Sequence, residues 1–557
     1  MKNKKISIVL LFLFAFLTII GILGLNIYPN SILRTTHQVK SSDNIVISYN
    51  IYQPKGLSES RPLIAMGHGV MVNKEMMTNF AIELAYNGFI VANLDWSGHG
   101  QSTGALSNLS MDLEAVLLDI SSNAPNANIS QLGLMGYSMG GGPTYNYAVN
   151  NSNVKAWVGI GTWADGSISN ISNPNNVLLI IGSLDEAVSF TDLKPSMANL
   201  TGLNSENIEK NTLYGNISNG TARRIQEIPF IDHLFSPWSR DFVMYSRDWI
   251  YETFNGVKPS NSILAYDIRQ VFVWLGLIGI VGLIFTSSIF LKNILKINKN
   301  NQSSEKEELD NLNIFENHST FSFIGKYYLY TFLLLPSIFI FLPLLFTPLP
   351  MTGALIAIVG CLGFNLLIYM WRLGKRWHKS IIQILKNNLL ANYKIWIFSI
   401  LITLIYFTSY YFLIGLNYLG IIPSIIKIPL MIPFLIILFF IFYVYNIFIQ
   451  KFSTPFFSHK WKIKNKLLKN IIIAMINFVL AYSWFVVLIL VPCIIINDYF
   501  LAQFLIIMFP IFLSFNFLSV YFEKLLGSPI IGTFIHTILV GFLITSLMPY
   551  GYLLGIF

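Results

Sequence analysis

The sequence predicts two differently solvated parts: an α/β domain whose largely parallel sheet carries helices on both faces, and an all-α transmembrane bundle of about nine helices. Two observations carry this. Between Thr36 and Phe254, short apolar runs alternate with helix-length segments, the pattern of strands joined by crossover helices. From about Tyr266 onward, apolar stretches of roughly twenty residues follow one another, each long enough to cross a hydrocarbon layer of about 30 Å. A chain of 557 residues also exceeds what a single hydrophobic core serves.

The opening, Met1 to Lys5 and then Ile6 to Leu25, is a basic cap before an apolar run, and no small-residue cleavage site follows it. It reads as a retained signal anchor. Eight further spans are expected: Val271 to Leu291, Tyr327 to Phe346, Gly353 to Met370, Ile395 to Leu416, Ile428 to Ile449, Ile471 to Ile496, Tyr499 to Phe522 and Ile530 to Leu547. Alternate loops hold the positive charge, at Lys292/Lys296/Lys299, Arg372/Lys375/Arg376/Lys379/Lys386 and Lys451/Lys460/Lys462/Lys464/Lys466/Lys469. Threading from an inside N-terminus reproduces that alternation and sends the α/β domain outside the cytoplasm. The expected organisation is an anchor over 1–30, an extracytoplasmic α/β domain over 31–260 and a polytopic domain over 261–557, in a multi-pass protein of the cell membrane. Asn-x-Ser/Thr triplets at Asn108, Asn128, Asn150, Asn170, Asn199, Asn216 and Asn219 suit an exported domain. The polar stretch Asn298 to Asn317 has little to bury and is expected to be a cytoplasmic loop.

The net charge of +9 is concentrated in those short loops, where orientation in the membrane accounts for it, so no nucleic-acid partner is expected. The two cysteines, Cys361 and Cys493, both lie in apolar spans and leave the α/β domain without a disulfide. No cluster of His, Cys and carboxylates has metal-ligand spacing, and no cofactor is implied.

Within the α/β domain, Val39 to Ser48 and Ser48 to Gln53 suggest an opening hairpin turning at Ser41-Ser42-Asp43-Asn44. Runs Pro62 to Met66, Phe89 to Leu94, Leu132 to Met135, Ala156 to Ile160 and Val177 to Ile181 read as buried strands, with helices such as Glu75 to Tyr86 and Met111 to Ser121 between them. Gly136-Tyr137-Ser138-Met139-Gly140 follows one of those strands and precedes a helix, the context a G-x-S-x-G elbow requires. A serine on such a tight turn is exposed at the carboxyl end of the sheet, and Gly136 and Gly140 leave the space the turn needs.

Serine is a poor nucleophile until a base takes its proton, so a histidine is needed downstream with an acid between them in chain order. His233, just after Ile228 to Asp232, is the candidate base, and Asp185, in the turn Gly182-Ser183-Leu184-Asp185, is the candidate acid. Asp165 competes for that role, and Asp232 is disfavoured because adjacent side chains point apart. The oxyanion donors expected are the backbone N–H groups of Met139 and of Val70 in the Gly67-His68-Gly69-Val70 turn, with Gly69 and Met71 as neighbouring alternatives. His68 and His99 read as turn residues.

Taken in order, His68-Gly69, Asp95-Trp96-Ser97-Gly98-His99-Gly100-Gln101-Ser102, Gly136 to Gly140, Gly182 to Asp185 and Asp232-His233 resemble the α/β-hydrolase superfamily, in its esterase, lipase and serine-aminopeptidase-like branch. The resemblance covers about Thr36 to Phe254. It implies hydrolysis of an ester, thioester or amide through an acyl-enzyme, with an acyl ester, lipid or peptide as substrate and membrane lipids as surroundings. Members of that branch often carry a helical cap after the sixth strand, where this sequence has only about Thr162 to Asn176. In the spans, His536, Asn365, Asn477 and Asn516 are the polar residues of interest, and satisfaction by neighbouring helices is the expectation.

Overall fold

In a computed structural model, residues 2–106, 108–297, 319–376, 380–390, 392–497, 499 and 502–551 are described. The polar stretch Asn298 to Asn317 lies outside the described residues, as do Lys299 and Lys379 of the charged loops.

The α/β part is built on one eight-stranded sheet of order β1-β2-β4-β3-β5-β6-β7-β8. Its strands are β1 (Ile32–Lys40), β2 (Val46–Pro54), β3 (Arg61–Gly67), β4 (Ile90–Leu94), β5 (Ala127–Tyr137), β6 (Val154–Ile160), β7 (Val177–Leu184) and β8 (Arg223–Asp232). β1 and β2 form an antiparallel hairpin, β2 meets β4 antiparallel, and every other pairing is parallel. The hairpin closes where expected, with Ser41 N–H bonded to Ile45 O and Asn44 at φ +66°. Its first strand starts at Ile32 rather than Val39, because β1 is an edge strand that alternates half-buried and exposed residues and so presents no apolar run.

Successive residues of the inner strands face opposite layers, as the pleat requires. Leu63 and Ala65 join a core with α3 (Leu109–Asn123), α4 (Gly141–Asn150) and α5 (Phe190–Thr201), through Leu113, Val116, Tyr145, Leu193 and Met197. Ile64 and Met66 join the opposite core with α2 (Thr78–Tyr86) and α6 (Arg240–Asn255), through Phe80, Leu84, Phe242 and Ile250. Helices on both faces of a mostly parallel sheet are therefore observed. The N-terminal helix, α1, spans Lys2–Ile27. Between β6 and β7 the chain makes only turns and an isolated Asn170–Asn173 bridge, so no helical cap is inserted there.

The compact unit that holds the sheet comprises Leu17–Leu277 together with Tyr410–Ile428 and Leu543–Phe557. Those distant segments are hydrogen-bonded to loops of the sheet. Ser424 N–H donates to Gly100 O, Tyr550 N–H to Gly98 O, and Asn73 exchanges side-chain bonds with Gly420 N–H and O.

The second unit, Met1–Phe16, Ile278–Ser409 and Pro429–Phe542, is helical. Across the described residues, eight helices are long and apolar enough to cross a membrane, or nine if the bent pair Thr320–Leu333 and Leu335–Phe346 is one span. Each overlaps an expected span, with Tyr327 to Phe346 matched only if the bent pair is one span and Tyr499 to Phe522 met by Met508–Leu526. The 44° bend falls where Pro336 removes a backbone donor. Polar residues within this unit find partners on neighbouring elements. Asn365 bonds Ser337 Oγ and Thr331 O, Asn477 bonds Ser453 and Thr454, Asn516 accepts from Tyr445, and His536 Nδ1 meets Asn446 while its ring stacks on Phe515.

Two glycines separate backbone strain from steric clash. Gly88 sits at φ +95° with open space where a Cβ would stand, whereas at Gly100, φ +47°, a Cβ would lie 2.4 Å from the Asp95 carboxylate. Gly88→Ala is expected to cost about 1–2 kcal/mol from the left-handed backbone alone. Gly100→Ala should cost roughly 3 kcal/mol or more, since overpacking against a buried charge adds to the strain. Thermal unfolding of the two purified variants measures the difference.

Candidate active site

Strand β5 ends at Tyr137, and the chain turns at once into a helical turn and α4. Ser138, at the corner, has φ +49°, a conformation that L-residues avoid. The corner closes only because both flanking positions lack a side chain. A Cβ on Gly136 would meet Gly140 O and Thr144 Oγ1 at 2.4 Å, and one on Gly140 would meet Gly67 O and His68 O at 2.6 Å. The two glycines thus allow α4 and the end of β3 to approach the corner, leaving the Ser138 side chain half-buried rather than enclosed.

β7 and β8 lie side by side, with Leu184 opposite Asp232, so their carboxyl ends deliver Asp185 and His233 to the same place. His233 Nε2 stands 3.0 Å from Ser138 Oγ. Its Nδ1 lies 3.0 and 3.1 Å from the two oxygens of Asp185. Asp185 also accepts from the backbone N–H groups of Ala187 and Val188, which fix the orientation of the carboxylate. Both His233 and Asp185 are buried. With Asp185 accepting at Nδ1, the protonated ring nitrogen faces the acid and Nε2 is left to accept the serine proton, an arrangement that can activate the hydroxyl for attack.

The competing acids are elsewhere. Asp165 is exposed and accepts from Ser167 N–H and Oγ in a local turn, and Asp232 accepts from Phe235 N–H. The β3 turn comes against Ser138 at Gly69, where a Cβ would be 3.0 Å from Ser138 Cβ; Val70 follows, and Met71 has φ +57°. Met139 begins the turn on the other side of Ser138.

His68 and His99 are buried, and neither hydrogen-bonds Ser138. His68 Nε2 accepts from Trp96 N–H, so Nδ1 carries the proton and donates to Gly69 O. Burial pushes the His68 imidazole down to about 4, against the pull of Asp95. Asp95 accepts from Lys74 N–H, Lys74 Nζ and Gln101 N–H, tying the loop after β3 to the loop after β4.

Three supporting residues went unread in the sequence. Gly161, φ +52°, leaves room for the His233–Asp185 pair, since a Cβ there would be 2.9 Å from His233 Nδ1 and 3.2 Å from Asp185 Oδ2. Tyr137 lays its ring beside that of His233 and donates its hydroxyl to His233 O. Lys74 is the buried partner of Asp95. A glycine directly after an apolar strand was the available signal for Gly161; a lysine outside any apolar pattern gave none for Lys74.

Residues 58–215 match the model of the family described as serine aminopeptidase, S33. The sheet-bearing part of this chain has the α/β-hydrolase fold. Solved structures similar to the chain include that of DcsB in complex with its substrate analogue, at 17% identity, covering 40% of this chain and 100% of that one, with a TM-score of 0.31. The hypothetical protein PA2218 from Pseudomonas aeruginosa is 14% identical over 39% of this chain and 92% of its own, with a TM-score of 0.30. The Pyrococcus furiosus esterase Pf2001 is 13% identical over 41% of this chain and 95% of its own, with a TM-score of 0.32. No curated protein sequence matches the chain.

Two outcomes test this geometry. Gly161→Ala should fold yet displace the His233–Asp185 pair, lowering turnover of an activated ester by 10-fold or more with little change in KM. For His68, the folded-state value of about 4 lies below the usual 6.5, so the unfolded chain takes up the proton first and stability is lost as pH falls from about 6.5 toward 4. Between pH 7 and 4.5 the wild type should lose about 2–3 kcal/mol more than His68→Asn, read from denaturant unfolding at both pH values.

Proposed function

We propose that the protein is a membrane-bound serine hydrolase that cleaves an ester or thioester through an acyl-enzyme formed on Ser138, with the hydrolase domain outside the cytoplasm. The observation that carries this is the continuous chain Asp185–His233–Ser138, each link at 3.0–3.1 Å. His233 takes the serine proton as Oγ attacks the carbonyl carbon, and Asp185 stabilises the imidazolium that results. The oxyanion is held by Met139 N–H and by Val70 N–H from the β3 turn. Collapse of the tetrahedral intermediate transfers the proton from His233 to the leaving alcohol or thiol. Water, activated by the same histidine, then releases the acid.

An apolar acyl group suits the surroundings. Leu184, directly before the acid, is 58% exposed; Phe230, three residues before the base, is 85% exposed; and Trp163, two residues after Gly161, is 50% exposed. Large apolar side chains left open at the carboxyl ends of β6, β7 and β8 lower the cost of binding a hydrocarbon chain there. The match of residues 58–215 to a serine-aminopeptidase model favours one second reading, amide cleavage by the same triad. Acyl transfer to an acceptor other than water, and a non-catalytic sensor or transporter role, are the remaining alternatives.

Purified full-length protein assayed on p-nitrophenyl acyl esters and on aminoacyl p-nitroanilides separates these. The ester reading expects greater kcat/KM on the esters, rising with acyl length, and a loss of about 10⁴-fold or more in Ser138→Ala and His233→Ala. Faster anilide cleavage would give the peptidase reading the lead, and absence of turnover in folded wild type would favour the non-catalytic one. For orientation, a cysteine placed at Leu118, 78% exposed on α3, should react with an impermeant maleimide on intact cells. Reaction only after lysis would put the domain in the cytoplasm.

A further inference from the structure

A cavity of about 350 Å³, within the size range of small-molecule sites, opens in the sheet-bearing unit at a place no triad residue lines. Its walls come from the end of α1, from β1, from Arg269 and from Leu416 and Asn417. Two guanidinium groups line it, and no carboxylate does. Arg269 is 1% exposed. Its Nη1 donates to Leu25 O at 2.6 Å and Tyr28 O at 3.2 Å, and its Nη2 to Asn417 Oδ1 at 3.0 Å, while its buried Nε has no partner. Among the described residues it makes no ion pair. Arg34, the second guanidinium, donates Nη1 to Leu416 O at 2.8 Å, and its Nη2 is 3.7 Å from Glu75 Oε1.

A buried cation held only by neutral acceptors, with its Nε–H unused, bears an uncompensated desolvation cost that an anion would offset. The flat fork of arginine matches the oxygens of phosphate better than a point charge does. The remaining wall is mixed, with Leu25, Ile27, Pro29 and Ile32 apolar and Asn26, Thr36 and Asn417 polar. The cavity also lies where candidate spans end. Leu25 and Ile27 close the span Ile6–Ile27, and Arg269 is in the first turns of the span Ala265–Ile294. Exposed Leu23, Ile27 and Val271 continue the apolar surface along those helices.

We propose that this cavity is a binding site for a phosphate group, recognised by Arg269 and Arg34, in the setting of a membrane lipid whose acyl chains lie along the two helices. The phosphate chemistry rests on the cavity itself. The choice of a lipid over a free phosphate rests on the reading of those helices as membrane spans, and is independent of the chemistry at Ser138.

The test is native mass spectrometry of the full-length protein in a neutral detergent, titrated with dihexanoyl-phosphatidylglycerol, with inorganic phosphate and with uncharged dihexanoylglycerol. The expected result is binding of the phosphatidylglycerol at least 10-fold tighter than that of dihexanoylglycerol, weakened 10-fold or more in Arg269→Gln and in Arg34→Gln. Binding of inorganic phosphate with the same dependence on both arginines would keep the site and assign it to a soluble phosphate. Equal binding of charged and uncharged lipid by the wild type, or undiminished binding in both variants, would overturn the proposal. Should Arg269→Gln fail to fold, as judged by its thermal transition, the partly exposed Arg34 variant and the wild-type preference between the two lipids still decide the matter.

Discussion

Everything proposed for the hydrolase domain depends on one constrained corner: the reversal of backbone direction at Ser138, held at φ +49° between a strand and a helix. Such a conformation costs of order 1–3 kcal/mol and persists only when its surroundings enforce it. Here the enforcement is contact. Gly140 lets the corner settle onto Gly67 O and His68 O, and Gly136 lets α4 pass over the end of β5. The strain holds the hydroxyl at the carboxyl edge of the sheet, where the ends of β7 and β8 also arrive. The same corner brings the β3 turn against Ser138, so the positions of Ser138 and of the proposed oxyanion loop are set together.

Much of this was legible in the sequence because its signals are local. The elbow is five consecutive residues, the acid and base each follow a strand end, and buried parallel strands such as Leu63–Met66 and Val177–Ile181 are short apolar runs. Turn length also separated Asp185 from Asp165, since the short turn Gly182 to Asp185 straight off β7 delivers a side chain to the sheet edge while Asp165 sits in its own loop. What escaped notice lacked a local pattern. The edge strand β1 is half-polar, so only its final residues resembled a strand. Gly161 matters for what its absent side chain would strike, a neighbour 72 residues away in sequence that no window contains. Lys74 and Asp95 form a buried pair that becomes visible only once β3 and β4 are adjacent.

The long apolar helices were equally legible, because the length that crosses a bilayer is fixed by its thickness. Their division between compact units was not. The segments Tyr410–Ile428 and Leu543–Phe557 belong with the sheet rather than with the other helices, through bonds such as Tyr550 N–H to Gly98 O. The Asp95–Ser102 loop is therefore held from two sides. Within the chain, Asp95 accepts from Lys74 and Gln101; from far along the sequence, Ser424 and Tyr550 bond the backbone of Gly100 and Gly98. These bonds tie the loop to chain that follows several apolar spans.

The central claim is that Ser138 is an activated nucleophile, and its most direct measurement is covalent capture. Membrane preparations would be treated with a fluorophosphonate, and the labelled peptide sequenced by mass spectrometry. The account predicts a single phosphonylated site at Ser138, formed in the wild type and absent in His233→Ala, because without the base the hydroxyl keeps its proton. Label on another residue, or undiminished labelling of Ser138 without His233, would contradict it.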